Sequence, residues 1–381
     1  MRLFGFYVPN LRFNEDQDDW KLIRINSLLK FQNGINASPE KYGKGTKYIS
    51  VSDILNNKFI TNKNIKGLID IDDKTLKNFE VSYGDILFQR SSETIEDIGR
   101  TNVYLDKNTN STFGGFVIRG KKIGHYNPIF FKYLLDSPTA RKSVIRMGAG
   151  AQHYNISQEG LDKIKLHFPN DFIQEKIANL FMLLDNCIET QSKIIEDYKT
   201  YKNRILHTIY NSIESDKRIK LNDICSITTG KLDANAMNPN GKYKFFTCAK
   251  EDYYIDTYSF DGEALVISGN GEVGLIKYFN GKFDAYQRTY VLQNFIFNPL
   301  YIKFALEIEL PKKICKEKNV GAMPYIVLST LSNIMINIPS NETIEKIAKL
   351  VVSLDKKIAI EEKILNDYIY QKKYLLSNMF I

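Results

Sequence analysis

The sequence predicts a mixed α/β protein of two tandem modules, each followed by one long helix. The first observation is a repeat: the 27 residues from Lys176 recur from Lys346 at an offset of 170, with 12 identical positions. The second is strand-like alternation upstream of each copy, with Gly and Asn turns between the strands. The third is length, because 381 residues suit two domains better than one core. We therefore expect a pseudo-twofold internal repeat.

The first elements of each module match each other. The run "IRINSLLKFQNG" ending at Gly34 resembles "IKLNDICSITTG" ending at Gly230, at an offset of 196. Alternating stretches follow in both halves: "KYISV", "GDILFQR" and "FGGFVIRG" in the first, and "KYKFFTC", "EALVIS" and "RTYVLQNF" in the second. Alternation of this kind is typical of strands with one buried face. Each module is therefore expected to contain a sheet.

A short helix and a turn close each module. "NPIFFKYLLDS" begins at Asn127 and "NPLYIKFALEI" at Asn298, where Asn fits the N-cap and Pro the first helical position. The stretch "GAQHY" then ends at Tyr154, and "GAMPY" ends at Tyr325. These pairs share an offset of 171, so the modules match almost to their last residues.

The repeated stretches themselves predict two long helices. In the first, apolar and Gln residues from Ile173 through Tyr201 to Ile205 recur in steps of four and three. Neither stretch contains Pro or Gly for about 40 residues, which gives rods of roughly 60 Å. The pattern fits the seam of an antiparallel or a parallel helix pair. Two helices buried in separate cores is the alternative.

Composition narrows the class of protein. The formal charge of +8, from 52 basic and 44 acidic residues, is compatible with a polyanionic partner but is common in soluble proteins. The cysteines, Cys187, Cys225, Cys248 and Cys315, show no C-x-x-C spacing, which argues against a zinc site or a disulfide framework. The start of the chain lacks a secretory h-region, and no apolar run approaches membrane-spanning length. We expect a soluble, reducing, cytoplasmic protein.

Two stretches resemble catalytic motifs but favour structural interpretations. "GNGEVG" at Gly269–Gly274 matches G-x-G-x-x-G, yet the sequence after it alternates like strands instead of opening a helix, so a glycine-rich β-turn is expected. The Asn-Pro pairs lack the second Pro of the amino-methyltransferase motif. None of the four histidines is paired with a carboxylate or thiol in a repeated arrangement. Binding is therefore expected, and catalysis, metal binding and cofactor binding are not.

Two modules held by long helices would fit a target with two half-sites, and duplex DNA is the rod-shaped partner that offers them. Basic residues precede the turn "GA" in both halves: Arg141, Lys142 and Arg146 in the first, and Lys312, Lys313, Lys316 and Lys318 in the second. Two interpretations of these residues stay open: they contact DNA phosphates, or they form a solvated helix face. Loop residues suited to base contacts are Gln89, Arg90, Ser91 and Ser92 in the first module, and Ser268 and Asn270 in the second. Further candidates are Arg100, Lys231, Lys244, Gln287 and Arg288.

Several stretches occur in a fixed order along the chain: "VPNLRF" followed by Trp20, "GAGAQHYNIS" leading to "LDKIKLHFP" and "QEKIANLFMLLDNCI", and the run from "FFTCAKEDYY" to "AYQRTYVL". Through these features the chain resembles, over essentially its full length, the DNA-specificity (S) subunit of type I restriction-modification enzymes. The combination and order of the stretches are specific, although each piece alone is weak. The second half departs from the first at "GAMPYIVLS", which lacks the polar Gln-His-Tyr-Asn set. The two turns are therefore not expected to have identical roles.

The resemblance implies two target-recognition domains joined by two long helices that form an antiparallel coiled coil. The corresponding segments are 1–170 (first recognition domain), 171–215 (first long helix), 216–340 (second recognition domain) and 341–381 (second long helix). Such a subunit has no catalytic activity of its own. It binds double-stranded DNA, each domain recognising half of a bipartite site, and assembles with two methyltransferase (M) subunits and with restriction/translocase (R) subunits. S-adenosylmethionine, ATP and Mg²⁺ are expected in those partners and no cofactor in this chain.

Two alternatives from other classes stay open. An autonomous DNA methyltransferase or nuclease would act without partner subunits. A coiled-coil scaffold that does not bind DNA would use its modules to contact proteins. Methylation or cleavage by the purified chain would favour the first alternative. Failure to bind any duplex, alone or with partner subunits, would favour the second.

Overall fold

The computed structural model describes residues 8–107, 110–150, 153–213, 217–251, 253–317 and 325–381. The chain folds as two compact units. The first comprises Met1–Ser192 together with Ile364–Ile381, and the second comprises Lys193–Lys363. The first unit is thus assembled from two separate stretches of chain, whereas the second is continuous.

Among its described residues, the first unit has two main sheets and five short α-helices. Its strands are β1 (Lys21–Arg24), β2 (Leu29–Asn33), β3 (Tyr42–Ile49), β4 (Gly67–Ile69), β5 (Ile86–Gln89), β6 (Ser91–Ser92), β7 (Thr101–Val103), β8 (Ser111–Phe113), β9 (Val117–Lys122), β10 (Tyr154–Asn155) and β11 (Lys165–Phe168). Its short helices are α1 (Val51–Asn56), α2 (Asp73–Phe79), α3 (Pro128–Asp136), α4 (Pro138–Ile145) and α5 (Gln158–Asp162). The strand orders are β2-β9-β5-β7 and β4-β3-β8, with the pairs β1-β11 and β6-β10 beside them.

The 42-residue helix α6 (Asp171–Ser212) leads from the first unit into the second. The second unit's strands are β12 (Arg218–Lys220), β13 (Ser226–Thr229), β14 (Tyr243–Phe246), β15 (Tyr253–Ile255), β16 (Glu263–Ser268), β17 (Ile276–Asn280), β18 (Phe283–Ala285), β19 (Thr289–Gln293) and β20 (Met335–Asn337). Its helices are α7 (Pro299–Glu317) and α8 (Leu328–Ser332), and α9 (Asn341–Asn378) follows with 38 residues.

The two units share one plan. The sheet β13-β19-β16-β17 repeats β2-β9-β5-β7, and β15-β14-β18 repeats β4-β3-β8. In both three-stranded sheets the central strand pairs antiparallel with one neighbour and parallel with the other. The antiparallel pair β12-β20 repeats β1-β11. The predicted tandem repeat of mixed α/β modules is therefore confirmed.

Each unit has two hydrophobic cores, because side chains alternate between the two faces of its strands. In the first unit, Phe88 and Ile118 pack with the helices, whereas Leu87 and Val117 pack against the three-stranded sheet. In the second unit, Leu265 and Ile267 pack with the helices, and Ala264 and Val266 pack with Phe246 and Phe283 of the smaller sheet. Because successive side chains point to opposite faces, one strand contributes to both cores. Each unit is thus built of helices, a four-stranded sheet and a smaller sheet.

The Asn-Pro pairs begin helices, as expected. Asn127 Oδ1 accepts hydrogen bonds from the backbone N–H groups of Ile129 and Phe130 at the start of α3. Asn298 Oδ1 accepts one from Leu300 N–H at the start of α7. These contacts satisfy N–H groups that have no partner within the helix. The helix-cap interpretation of both pairs is confirmed.

The long helices α6 and α9 run antiparallel within each unit. In the first unit Phe181 stacks on Phe380 with ring centroids 5.8 Å apart. In the second unit Lys199 lies 2.6 Å from Glu362 and Lys202 pairs with Asp355. Phe380 lies just past the end of α9, and Asp185, four residues after Phe181, pairs with Lys372 of α9. In each unit a later residue of α6 therefore meets an earlier residue of the other stretch, as an antiparallel pair requires. The antiparallel arrangement implied by the family resemblance is confirmed.

One residue of the predicted seam is not in it. Tyr201 is 55% exposed, and the buried side chains on this part of α6 are those of Ile195, Leu206 and Tyr210. A straight α-helix drifts by about 20° per heptad relative to a repeat of 3.5 residues. Toward the end of α6, a repeat in steps of four and three therefore no longer predicts which residues are buried.

Candidate nucleic-acid interface

The two loops predicted to contact bases follow equivalent strands. Gln89 ends β5 and Ser268 ends β16, the third strand in the order of each four-stranded sheet. The backbone of the next residue is fixed in the same way in both units: Ile156 N–H donates to Arg90 O over 3.0 Å, and Ile326 N–H donates to Gly269 O over 2.8 Å. The fold thus presents different side chains at one structural position of the two modules.

In the first unit the loop is held by a short strand pair. Ser91 and Ser92 form β6 opposite β10, and the Ser91 hydroxyl donates to Asn155 Oδ1 over 2.5 Å. Arg90 is half-buried, and its Nη1 donates to Gly115 O over 3.2 Å. Ser91 and Ser92 are also half-buried, so their hydroxyl groups lie near the surface without extending far from it.

A cleft of about 780 Å³ opens beside this loop. Ser91, Ser92 and Arg100 line it, and Gln89 and Thr101 lie buried in its wall. Gln89 Nε2 donates to Ser91 O over 2.9 Å, but Gln89 Oε1 and Thr101 Oγ1 have no hydrogen-bond partner among the described residues. Buried polar atoms without partners are costly and mark places where a ligand or water can bind. Gln89 therefore does not project from the surface, and a ligand would contact its side chain through the cleft.

The structure corrects the interpretation of Arg141, which the sequence suggested as a phosphate contact. Its side chain is buried, and the guanidinium donates to the carbonyl oxygens of Glu96, Ile98 and Gly99 over 2.7–2.8 Å. Burial lowers the pKa of Arg141 to about 10. Because three carbonyl groups use its N–H donors, Arg141 holds the loop that precedes β7 and does not face a partner.

Most of the other basic candidates are exposed. Lys142 on α4 and Arg146 just after it face solvent, and Arg100 lies 3.0 Å from Asp97 at the surface. In the second unit Lys312 pairs with Glu309 over 2.9 Å, and Lys313 is half-buried. An exposed ion pair contributes little and can be exchanged for a phosphate contact. These five residues remain candidates, while Lys318 and the turn at 321–324 lie outside the described residues.

In the second unit the glycine-rich loop is a turn between strands. Gly271 and Gly274 have φ of 60° and 81°, a conformation that favours glycine, and β17 follows directly. The expected β-turn is therefore confirmed. Ser268 is buried, whereas Asn270 is half-buried on the turn.

Three further candidates lie close to this turn. Arg288 O accepts a hydrogen bond from Gly269 N–H over 3.0 Å, and Gln287 N–H donates to Leu232 O over 2.9 Å. Lys231, Gln287 and Arg288 are all exposed. The fold thus gathers residues from three separate stretches beside the end of β16.

Two groups of lysine and tyrosine side chains on the smaller sheet of the second unit were missed by sequence analysis, apart from Lys244. One group is Lys244 with Tyr254, and the other is Lys242, Tyr243, Tyr258 and Lys282. Tyr243 and Lys244 are successive residues of β14 and therefore point to opposite faces. Lys244 Nζ lies 4.5 Å from the ring centroid of Tyr254, and Lys282 Nζ lies 4.5 Å from that of Tyr258. Interleaved cations and rings suit phosphates and bases. The alternation of Lys and Tyr in "GKYKFF" is the sequence signal that could have indicated these residues.

Within the described ranges, no three His, Cys, Asp or Glu side chains come close enough together to hold a metal ion. In the same part of the chain, no helix is both long and apolar enough to cross a bilayer.

Comparisons with known proteins agree with this architecture. The chain is 37% identical over 124 residues to the EcoDI type I restriction enzyme specificity subunit of Escherichia coli, a match that covers 32% of this chain and only 28% of that subunit. It is 23% identical over 398 residues to the MjaIX specificity subunit of Methanocaldococcus jannaschii, covering 91% of this chain and 89% of that one.

A solved structure shows the same fold. The crystal structure of a type I restriction-modification S subunit from M. genitalium matches with a TM-score of 0.61 and 18% identity, covering 98% of this chain and 99% of that chain. A family model, the type I restriction modification DNA specificity domain, matches twice, at residues 17–199 and 214–367. These two matches cover most of both units, and the chain therefore belongs to the type I restriction modification DNA specificity domain family.

Proposed function

We propose that this chain is the specificity subunit of a type I restriction-modification complex and recognises a bipartite DNA site. One observation carries the proposal: two units of one plan present different side chains at the same strand end. Gln89, Arg90 and Ser91 occupy that place in the first unit, and Ser268, Gly269 and Asn270 occupy it in the second. A shared scaffold with different loops suits the recognition of two different half-sites.

The remaining contacts would come from exposed cations around these loops. Lys142 and Arg146 in the first unit, and Lys231 and Arg288 in the second, are exposed and can release counterions from DNA phosphates. Phosphate contacts of this kind would set the position of each unit on the duplex. Base contacts by the loop side chains would then supply the specificity.

The chemistry would belong to partner subunits. Two M subunits would bind S-adenosylmethionine and methylate adenine, and R subunits would use ATP and Mg²⁺ to translocate and cleave DNA. The antiparallel helices α6 and α9 support this assembly, because their exposed faces carry apolar side chains such as Tyr201 and Tyr370. The complex would act on chromosomal and invading DNA in the cytoplasm.

Modified-base sequencing of host DNA, with and without the gene, tests the proposal. Loss of adenine methylation at one bipartite motif is the expected result and would identify both half-sites. An unchanged methylome, under conditions where the chain and its partners are expressed, would contradict the proposal and favour a scaffold that does not bind DNA. Methylation or cleavage by the purified chain alone would instead indicate an autonomous enzyme.

A further inference from the structure

A second pocket of about 390 Å³ lies in the first unit against the strand pair β2-β9. Its wall is formed by Lys30 and Gln32 of β2 and by Arg119 and Lys121 of β9. The register places Lys30 opposite Lys121 and Gln32 opposite Arg119. Because alternate residues of a strand share a face, the four side chains leave the same face of the sheet.

Arg119 is a buried cation with unused donors. Its side chain is 3% exposed, and its Nε donates to Asp85 Oδ2 over 2.7 Å. Asp85 is itself fixed, since it accepts hydrogen bonds from Ser82 N–H and Lys122 N–H. The two terminal nitrogens of Arg119, which lines the pocket, have no hydrogen-bond partner among the described residues. Asp85 thus orients a guanidinium whose remaining donors are available.

The charge around the pocket is unbalanced. Lys77 of α2 also lines it, so three lysines and Arg119 face two carboxylates, those of Glu80 and Asp85. Like charges directly opposite on neighbouring strands destabilise a sheet. An anion between Lys30 and Lys121 would remove that repulsion.

The second unit shows that the fold does not require these cations. The positions equivalent to Lys30, Gln32, Arg119 and Lys121 are Ser226, Thr228, Val291 and Gln293. By the same register Ala264 stands where the first unit has Asp85. Replacing a buried ion pair by apolar residues is often neutral or stabilising. The pair Arg119 and Asp85 is therefore a feature of the first unit and not of the shared plan.

We infer that the pocket between β2 and β9 binds a phosphate group. The two terminal nitrogens of the Arg119 fork match two phosphate oxygens, and the Lys30 and Lys121 ammonium groups supply charge beside them. The phosphate can come from a DNA backbone or from a free phosphate-bearing small molecule. Only the first source rests on the proposed function.

The experiment uses the full chain and two pocket variants. Lys30→Gln/Lys121→Gln removes exposed charges and leaves the core intact. Asp85→Ala/Arg119→Val introduces the pair that the second unit already has at these positions, so we expect it to fold. Lys66→Gln, an exposed lysine outside the pocket, is the control. Melting temperature is measured against inorganic phosphate, with sodium chloride at equal ionic strength as reference.

Wild type and the Lys66→Gln control should be stabilised by phosphate beyond chloride. Both pocket variants should bind phosphate at least about tenfold more weakly, as expected for the loss of a charge-assisted hydrogen bond. Equal responses of all four proteins, or no response of the wild type beyond chloride, would overturn the inference. Host methylation, measured separately, would still test the proposed function.

Duplex binding by fluorescence anisotropy distinguishes the two sources. If the pocket variants lose affinity for phosphate and for duplex, and if their affinity depends less steeply on salt, the ligand is a backbone phosphate. If they lose phosphate affinity alone, the site takes a free phosphate-bearing molecule. Both outcomes support a phosphate site.

Discussion

Asp185 of α6 and Lys372 of α9 form an ion pair of 2.6 Å in the first unit. The Tyr133 hydroxyl donates to the other carboxylate oxygen over 2.6 Å, and burial next to this carboxylate raises the pKa of Tyr133. In the second unit Lys202 of α6 pairs with Asp355 of α9. Each residue lies 170 positions from its counterpart, so the sequence repeat recurs as a reciprocal contact between the long helices.

This pair should matter more than its exposed neighbours. Asp185 and Lys372 side chains are 10% and 22% exposed, and Asp185→Ala would leave both Lys372 and Tyr133 without their partner. We expect the free energy of unfolding of the first unit to fall by about 3–5 kcal/mol. The control Lys44→Met removes an ion pair of the first unit, with Asp70, whose side chains are 69% and 53% exposed, and should cost less than about 1 kcal/mol.

Urea unfolding followed by tryptophan fluorescence measures this effect in the first unit. Trp20 is the single tryptophan of the chain and is buried against Phe130 and Phe380. Its emission therefore reports on the first unit alone. Similar losses for Asp185→Ala and Lys44→Met would contradict the importance assigned to the buried pair.

Arg141 and Lys142 are adjacent but should respond differently to substitution by Gln. Arg141→Gln removes hydrogen bonds to three carbonyl groups and should lower the free energy of unfolding by about 1–3 kcal/mol. Lys142→Gln should leave stability within about 0.5 kcal/mol, because the side chain is exposed. If Lys142 contacts phosphate, the slope of duplex affinity against salt should fall by about 1. Trp20 fluorescence measures stability and fluorescence anisotropy measures duplex affinity, so the two effects are determined separately. A Lys142→Gln protein that does not fold would contradict the assignment of Lys142 as an exposed residue without a structural role.

Gly34 and Gly230 should tolerate no side chain. A Cβ at Gly34 would lie 2.1 Å from Gly114 O, and one at Gly230 would lie 2.0 Å from Ala285 O. Because backbone atoms must move in both cases, we expect each Ala variant to lose about 3 kcal/mol or more of stability. Gly160→Ala is the control, since its nearest neighbour is a Met147 side-chain atom at 3.3 Å. Calorimetric melting of the three variants would test the comparison.

The cysteines should differ in reactivity. Burial raises the pKa of Cys225 to about 12, so at pH 8 only about one thiol in 10,000 is a thiolate. Cys315 is exposed. Iodoacetamide should therefore label Cys315 within minutes and leave Cys225 unmodified until the second unit unfolds, as mass spectrometry of timed samples would show. Equal labelling rates in the folded protein would show that Cys225 is accessible.

The long helices should set the spacing between half-sites. Four residues inserted after Glu189 would lengthen α6 by about 6 Å, close to two base-pair steps of about 3.4 Å. We expect the nonspecific spacer of the methylated motif to lengthen while both half-sites stay the same. Modified-base sequencing of cells that carry the insertion measures this. An unchanged spacer would mean that the helices do not determine it or that they bend to absorb the insertion.

The repeat made much of the fold predictable, because its signals are local. Asn127 and Asn298 cap helices that their own neighbours form, and the glycines at 271 and 274 specify a turn without distant contacts. The matching glycines 34 and 230 were recognisable from the two copies alone. These features depend on the backbone preferences of a few adjacent residues.

Features that depend on pairing between distant segments were not predictable. Lys30 meets Lys121 only because β2 pairs with β9, about 90 residues along the chain, in one register. Arg141 is buried because the fold brings the carbonyl groups of residues 96–99 to it. A lysine or arginine in sequence looks the same whether it later faces solvent, a carbonyl or a ligand. Charge alone therefore could not separate structural cations from candidate binding residues.

The division of the chain into units has a consequence for protein synthesis. The second unit is one continuous stretch, whereas the first unit is completed only by Ile364–Ile381, in which Phe380 packs on Trp20 and Phe181. At about 5–20 residues per second, roughly 10–40 s pass between the emergence of Ser192 and that of the closing segment. The unit that is translated first is therefore the last to be completed, and the second unit can fold while the first still waits for its final helix turns.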